Sequence, residues 1–458
     1  MEDQALTALR AGLAGDAFVP GDDGYAAARV IWNGMIARQP AVIVTCKTVD
    51  DVVRALDFAR AQSLGVSVRG GGHHVAGSSL IEGGLVVDLS EMRSVTVDPA
   101  TSTVRAEGGA KLADLDAATQ AHGLAVPVGV VSATGVAGLT LGGGVGWMRR
   151  KHGMSCDNLL AADVVLSDGR LVRASATENP DLLWALRGGG WDLGAVVMLE
   201  YQAHPLGPEV WVSFVGYSWS DAKQVMQGFR RFGATAPEGF NALCVCWTVP
   251  ELEEFPRDAW GQPFVVVVGP YAGTVEEGRR ETEPLLSLGS VLGNLSGPMP
   301  YVEAQKVLFD EDYPTGDRYY WRSIYLRDLS DSAIDTLMDL TLRRPSLRSS
   351  LDIWLLGGAI SRHGQDDSAA GHRDAPWMIG IEANWSEPSQ DGANVAWAKE
   401  TGERLRPFST GGSYMNFEDP DDAAATAASY GAALERLRAV KQKYDPVNLF
   451  RSRRGLAG

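Results

Sequence analysis

Three glycine clusters in the first 205 residues constrain the fold more than any other feature: Gly70-Gly71-Gly72, Gly142-Gly143-Gly144 and Gly188-Gly189-Gly190. Without a Cβ, successive glycines let backbone approach another backbone or a ligand closely. The first cluster is fed by the alternating run Val66-Ser67-Val68-Arg69 and followed at once by His73-His74. A strand that delivers successive N–H groups into a turn makes a nest suited to a phosphate or pyrophosphate, with an imidazole beside it. Taken alone, the same stretch also reads as a glycine-rich turn with two surface histidines. The second cluster ends a run of small residues, Pro127 to Trp147. It is not a dinucleotide fingerprint, because no G-x-G-x-x-G follows a clear strand and no acid lies at the required distance; it also lacks the lysine and hydroxyl of a P-loop. Its small residues predict backbone lying flat against a large cofactor.

At 458 residues the chain exceeds one ordinary core, so two or three domains are expected. The 41 basic residues against 57 acidic ones give −16, which disfavours sequence-independent nucleic-acid binding and attraction to an anionic membrane. No apolar run approaches a membrane span, and the N-terminus has no basic-then-apolar leader pattern. Cys46, Cys156, Cys244 and Cys246 show no zinc spacing, so a reducing, cytoplasmic setting is expected, with a monomer or homodimer. Ala41–Val44 reads as a strand, Thr48 as the cap of the next helix, and Val66–Arg69 as the strand entering the glycine loop: an α/β opening. Beyond residue 205 the glycine clusters stop. Strand-like runs at 211–217, 242–249, 264–268, 350–356 and 378–385 alternate with helical ones at 220–232, 274–288, 329–344 and 392–405, and a helix is expected over 421–443. The expected division is a first domain over 1–205, an α+β second domain with an antiparallel sheet over 206–411, and a return segment over 412–458 that completes the first.

Arg69-Gly70-Gly71-Gly72-His73, the later glycine clusters and the tail Tyr444-Asp445-Pro446-Val447-Asn448-Leu449-Phe450 together resemble the berberine-bridge-enzyme-like branch of the vanillyl-alcohol-oxidase flavoproteins, on its 6-hydroxynicotine-oxidase and mitomycin-radical-oxidase side. The resemblance implies an α+β protein with a PCMH-type FAD-binding domain of two α/β subdomains. It implies FAD held at Arg69 to Gly72 and bonded through the flavin 8α carbon to His73. His74, Gly77 and Ser78 follow in the same loop, His74 being read as structural or solvent-facing. Gly135, Gly138, Gly143, Gly144 and Gly146 would line the flavin or its ribityl chain, Val196 the adenine, and Asn448 would return towards the flavin. The second, cysteinyl link found in part of the family falls at Val131, so a single link is expected, with Cys156 as a buried hydrophobe. Trp191-Asp192-Leu193 stands where the family has Gly-Asn-Phe, a departure read as one of packing.

Such a cofactor supports hydride abstraction from an alcohol, amine or activated C–H, with O₂ as the electron acceptor and H₂O₂ as product. Many relatives place a tyrosine base in a Y-x-N-Y motif. Here the motif is Tyr414-Met415-Asn416-Phe417, and phenylalanine cannot accept a proton. Tyr414 and Asn416 remain as candidates for the site, read chiefly for packing and hydrogen bonding. Either there is no side-chain base, or it comes from the second domain, where alternation puts Asp352 with Trp354 and Glu382 with Gly380 and Asn384. The opposing reading has both acids facing water or paired with arginines. Two further readings share these residues: a flavin dehydrogenase with an acceptor other than O₂, and a flavin-fold protein that binds a natural product without turnover.

Overall fold

The computed structural model describes residues 3–364, 366–417 and 423–451. The opening folds as the local chemistry dictates. The Thr48 hydroxyl accepts from Asp51 N at 3.2 Å and the Asp51 carboxylate accepts from Thr48 N at 3.1 Å, a capping box that starts the helix Val49–Ala61. Strands Val42–Thr45 and Val66–Arg69 flank that helix in sequence, and both pair in parallel with Leu85–Asp88, which lies between them. Asp16–Phe18 adds an antiparallel edge not foreseen in the sequence. All the strand residues of Leu85–Asp88 are buried, as expected of a parallel sheet covered on both faces. A second sheet is antiparallel, in the order Val95–Asp98, Thr103–Glu107, Ala195–Gln202, Leu159–Val165, Leu171–Ser175.

Residues 209–385 form an eight-stranded antiparallel sheet, with helices Ala222–Gly233, Asp331–Leu342 and Asp391–Leu405 packed on one side. Its alternation was legible at five strands but not at Val291–Asn294, Gly297–Pro300 or the edge strand Arg318–Leu326, where the run Arg-Tyr-Tyr-Trp-Arg disguises a partner of Trp377–Trp385. The helical run at 274–288 changes at Glu283-Pro284: Val275–Thr282 is α-helical and Glu283–Ser287 is a 3₁₀ turn, since proline removes a donor. The expected tail helix is likewise divided, into Ala423–Tyr430 and Leu434–Tyr444, with Gly431 at φ +52° between them; Asp421 and Asp422 lie outside the described residues. Among the described residues, no helix is long and apolar enough to cross a membrane.

Three consecutive cations join the glycine-rich half to the large sheet. Arg149 is fully buried and donates to the carbonyls of Leu355 (2.9 Å), Asn241 (2.6 Å), Ala242 (3.4 Å) and Gly146 (3.0 Å). Arg150 reaches the carbonyls of Leu356, Pro237, Phe240 and Ala236, and Lys151 that of Ala272. The guanidinium fork suits this task because it presents several fixed donors to acceptors that the strand ends leave unpaired. The tail closes the other side. Lys441 is 5% exposed and donates to Asp445, to Asp192 O (2.7 Å) and to Phe450 O (2.9 Å). Val66 N then donates to Leu449 O, and Arg451 N to Val66 O, so the tail runs beside the strand that enters the first glycine loop.

A further contact between the halves carries a pH signature. Asp116 is buried and accepts from Gln305 Nε2 at 2.9 Å; burial pushes its carboxyl up to about 7. The folded protein therefore holds this proton over a range in which the unfolded chain, titrating near 4, has lost it. Stability from this group is fully present below about pH 4 and is lost as pH rises to about 7. Asp116→Asn, which removes the titration, is expected to match wild type in melting temperature near pH 4 and to exceed it increasingly up to pH 8. The full difference corresponds to about 4 kcal/mol at 1.36 kcal/mol per pKa unit. Thermal melts of both proteins across that range check it.

Candidate active site

A cavity lies between the glycine-rich half and the large sheet. Its floor is largely backbone. Gly70, Gly71 and Gly72 curve round one end, with Gly72 at φ +65°. Gly71 and Gly135 touch back to back: a Cβ on Gly71 would stand 2.4 Å from Gly135 N, which no side chain survives. Gly138 is the opposite case, since a Cβ there would meet nothing within 4 Å and would project into open space. His73 lines the same floor. Its Nε2 is buried without a partner, and burial drives the imidazole pKa down to about 3, so the ring is neutral. Trp32 stacks on it at 4.1 Å and is itself stacked on Tyr319 at 3.8 Å. Trp32 Nε1 donates to Tyr313 O, and Asn33 Nδ2 to the carbonyls of Val75 and Tyr319, which fixes the histidine loop against the sheet.

The roof is the inner face of the large sheet. Period-two alternation brings Asp352 and Trp354 to one face of Ser350–Leu355, and Gly380, Glu382 and Asn384 to the same face of Trp377–Trp385. Asp352 pairs opposite Gly380 and Glu382 opposite Ser350, so the two carboxyls are diagonal neighbours. They are 2% and 3% exposed and hydrogen-bond to each other, and Tyr313 Oη donates to Glu382 Oε2 at 2.7 Å. Burial raises both carboxyls, and the charge of Asp352 raises Glu382 further. Phe309, Trp321 and Phe417 complete an aromatic wall.

Known proteins are similar to this chain over nearly its whole length. The family model described as "FAD binding domain" matches residues 40–175, and that described as "Berberine and berberine like" matches 413–456. The FAD-linked oxidoreductase YgaK of Bacillus subtilis is 30% identical over 437 residues, covering 94% of each chain. The chain belongs to the berberine-bridge-like FAD-linked oxidoreductases. The (R)-6-hydroxynicotine oxidase of Paenarthrobacter nicotinovorans is 28% identical over 451 residues, covering 95% of each chain. The crystal structure of BBE-like 1 from Physcomitrella patens superposes with a TM-score of 0.87 at 25% identity, covering 97% of each chain.

For a berberine-bridge-like oxidoreductase the residues present fit FAD: a glycine-walled floor, an open cradle at Gly138 and a neutral histidine nitrogen without a partner. Gly70, Gly71, Gly72, His73, His74, Ser78, Gly135, Gly138, Val196, Tyr414 and Asn416 all line the cavity. Asp352 and Glu382 line it too, and neither faces water or an arginine. Six expected residues do not. Arg69 turns away, paired with Asp88 and donating to Ala28 O. Gly77 packs against Ile36, Gly143 against Met154, Gly144 against Ser155, and Gly146 against Val128 O; each serves contact between chain segments. Asn448 is a turn residue at φ +49° whose N–H donates to Asp445 O, and the tail meets the Val66 strand rather than the cavity.

Two of the lining residues take the structural one of the roles read for them. His74 is not solvent-facing: it is half-buried between Ser78 Oγ (3.1 Å) and Met415 O (3.3 Å), edge-on to Trp191 at 4.9 Å. Tyr414, read for packing and hydrogen bonding, is held as a strut. Its oxygen accepts from Val145 N (2.9 Å) and Asn416 Nδ2 (2.8 Å), and burial pushes the phenol up to about 12. Cys156 is fully buried away from the cavity, whereas Val131 lines it, and no thiol does so among the described residues. Trp191 lines the cavity and donates to Gly138 O at 2.9 Å. The sequence reading missed Trp32, Phe309 and Tyr313, which lie on loops without periodicity, and Arg149 and Arg150, whose charge reads as surface. Tyr414→Phe leaves a buried amide and carboxamide without their acceptor. It is expected to cost about 1–3 kcal/mol, seen as a lower midpoint in urea unfolding at unchanged slope.

Proposed function

We propose that the protein is an FAD-dependent oxidase that takes hydride from a small organic alcohol, amine or activated C–H, with FAD joined through its 8α carbon to His73 and O₂ as the final acceptor. The observation that carries this reading is the opposition of His73 to the Asp352–Glu382 pair across one cavity. Bound FAD supplies the two-electron acceptor for the hydride and the route by which those electrons reduce O₂ to H₂O₂. The protein's own groups do the remainder. Gly70 to Gly72 present backbone to the pyrophosphate, while Gly135, Gly138 and Val196 leave room for the dinucleotide to lie flat. The neutral His73 nitrogen is a competent nucleophile, held by the stacked Trp32. With Phe417 at the usual tyrosine position, the proton lost by substrate falls to Asp352, whose raised pKa places it nearer neutral pH than a free carboxyl. The relatives named as oxidases support the same class of reaction.

Acid precipitation tests the attachment. The wild-type pellet is expected to be yellow and to yield one flavin-bearing peptide containing His73. His73→Ala is expected to release all its flavin to the supernatant, and Cys156→Ser to keep wild-type labelling. A colourless wild-type pellet, or flavin recovered at Cys156, overturns the single histidyl link. H₂O₂ formed in step with O₂ consumed separates an oxidase from a dehydrogenase.

A further inference from the structure

Three polar groups converge over Gly380 in the cavity roof. A Cβ on Gly380 would stand 3.2 Å from Glu382 Oε1, 3.4 Å from the Asp352 Cβ and 3.4 Å from Trp354 Nε1, so glycine is what lets them meet. Glu382 is engaged by Tyr313 and by Asp352, but Asp352 Oδ1 is buried without any hydrogen-bond partner. Two carboxyls in contact share one proton and keep one negative charge. That charge has no counter-ion in place. No lysine or arginine lines the cavity among the described residues. The Arg149 guanidinium is 5.1 Å from the Trp354 ring, but its donors go to backbone carbonyls. A buried, unpaired negative charge is costly and is relieved by a cation. The surroundings suit an organic one: Phe309, Tyr313, Trp321, Trp354 and Phe417 line the same chamber, and aromatic faces attract cations.

We infer that this chamber is an organic-ammonium subsite, in which Asp352, backed by Glu382, pairs with the protonated nitrogen of an amine held among the aromatic rings. The inference rests on the oxidase reading and names its substrate as an amine rather than a neutral alcohol or sugar. The ammonium N–H proton passes to Asp352, taking the carboxyl pair from one proton to two. The nitrogen lone pair so freed supports loss of hydride from the adjacent carbon, the two electrons going to FAD and the substrate leaving as an iminium. Phe417 is consistent with this, since the proton is taken from nitrogen at the roof and no phenol is needed.

Calorimetric titration of the holoprotein at pH 8 with benzyltrimethylammonium, benzyl alcohol and benzoate tests the subsite. The first probe keeps its charge and cannot lose a proton. It is expected to bind about tenfold or more tightly than benzyl alcohol, with benzoate weakest. Asp352→Asn and Glu382→Gln are expected to reduce that preference about tenfold and to retain their flavin, read from visible absorbance of the same samples. Equal or stronger binding of benzyl alcohol or benzoate by the wild type overturns the inference, as does an unchanged preference in a folded Asp352→Asn. A yellow protein that prefers benzyl alcohol overturns the ammonium subsite and leaves the flavoprotein reading intact. A colourless protein that still prefers the ammonium supports the subsite and removes the oxidase.

Discussion

Everything in this molecule depends on the buried donors of Arg149 and Arg150. A cavity between two sheets persists only if something fixes the distance between them, and apolar packing alone would close it. Here the guanidiniums donate to backbone carbonyls of the large sheet and its adjoining segments. Hydrogen bonds from charged donors are directional and strong in a dry interior, whereas hydrophobic contacts are neither directional nor specific about spacing. Arg149 sits two residues after Trp147, itself at the end of the small-residue run, so the segment that shapes the cavity floor also anchors the roof.

The roof then acquires its chemistry from sheet geometry. A period of two turns every second residue of Ser350–Leu355 and Trp377–Trp385 to one face, from which Asp352, Trp354 and Glu382 reach the cavity, and the register sets which acids become neighbours. A shift of one residue would turn Asp352 and Glu382 into the helix-covered core on the other face, where Ile353, Ile379 and Ile381 now pack. Burial raises the pKa of both carboxyls, and the charge of Asp352 raises that of Glu382 further. The positions of Tyr313 and Phe417 follow from loops tied to the same sheet, through Trp32 and Ser323 respectively.

The sequence disclosed those parts of the fold that repeat. Thr48 and Asp51 announced a helix start because capping chemistry is local, and alternation put Asp352 with Trp354 and Glu382 with Gly380 and Asn384 while leaving open whether that face looks inward. The Gly-His junction was legible because His73 immediately follows the loop that carries it. What stayed hidden depends on contacts distant in sequence. Trp32 reaches Tyr319 and His73 across the fold, and Phe309 and Tyr313 come from an acidic stretch with no period. Arg149-Arg150-Lys151 looks like a solvated basic patch until the carbonyls it meets are known. Gly143, Gly144 and Gly146 were assigned to a ligand because small residues signal close approach without naming the partner; the partners are Met154, Ser155 and Val128.

The strand that carries the first glycine loop is completed from the far end of the polypeptide. Val66 exchanges hydrogen bonds with Leu449 and Arg451, and Lys441 and Asp445 brace that junction. During synthesis the first glycine loop emerges early, yet the edge beside it stays open until almost four hundred more residues have been made. Domains generally fold as units as the chain emerges, and this one is interrupted by the whole of the large sheet. The strand beside the first glycine loop therefore waits for residues 449–451: a chain truncated before residue 449 would expose an unpaired strand edge next to that loop, and an unpaired edge is a template for association with other chains.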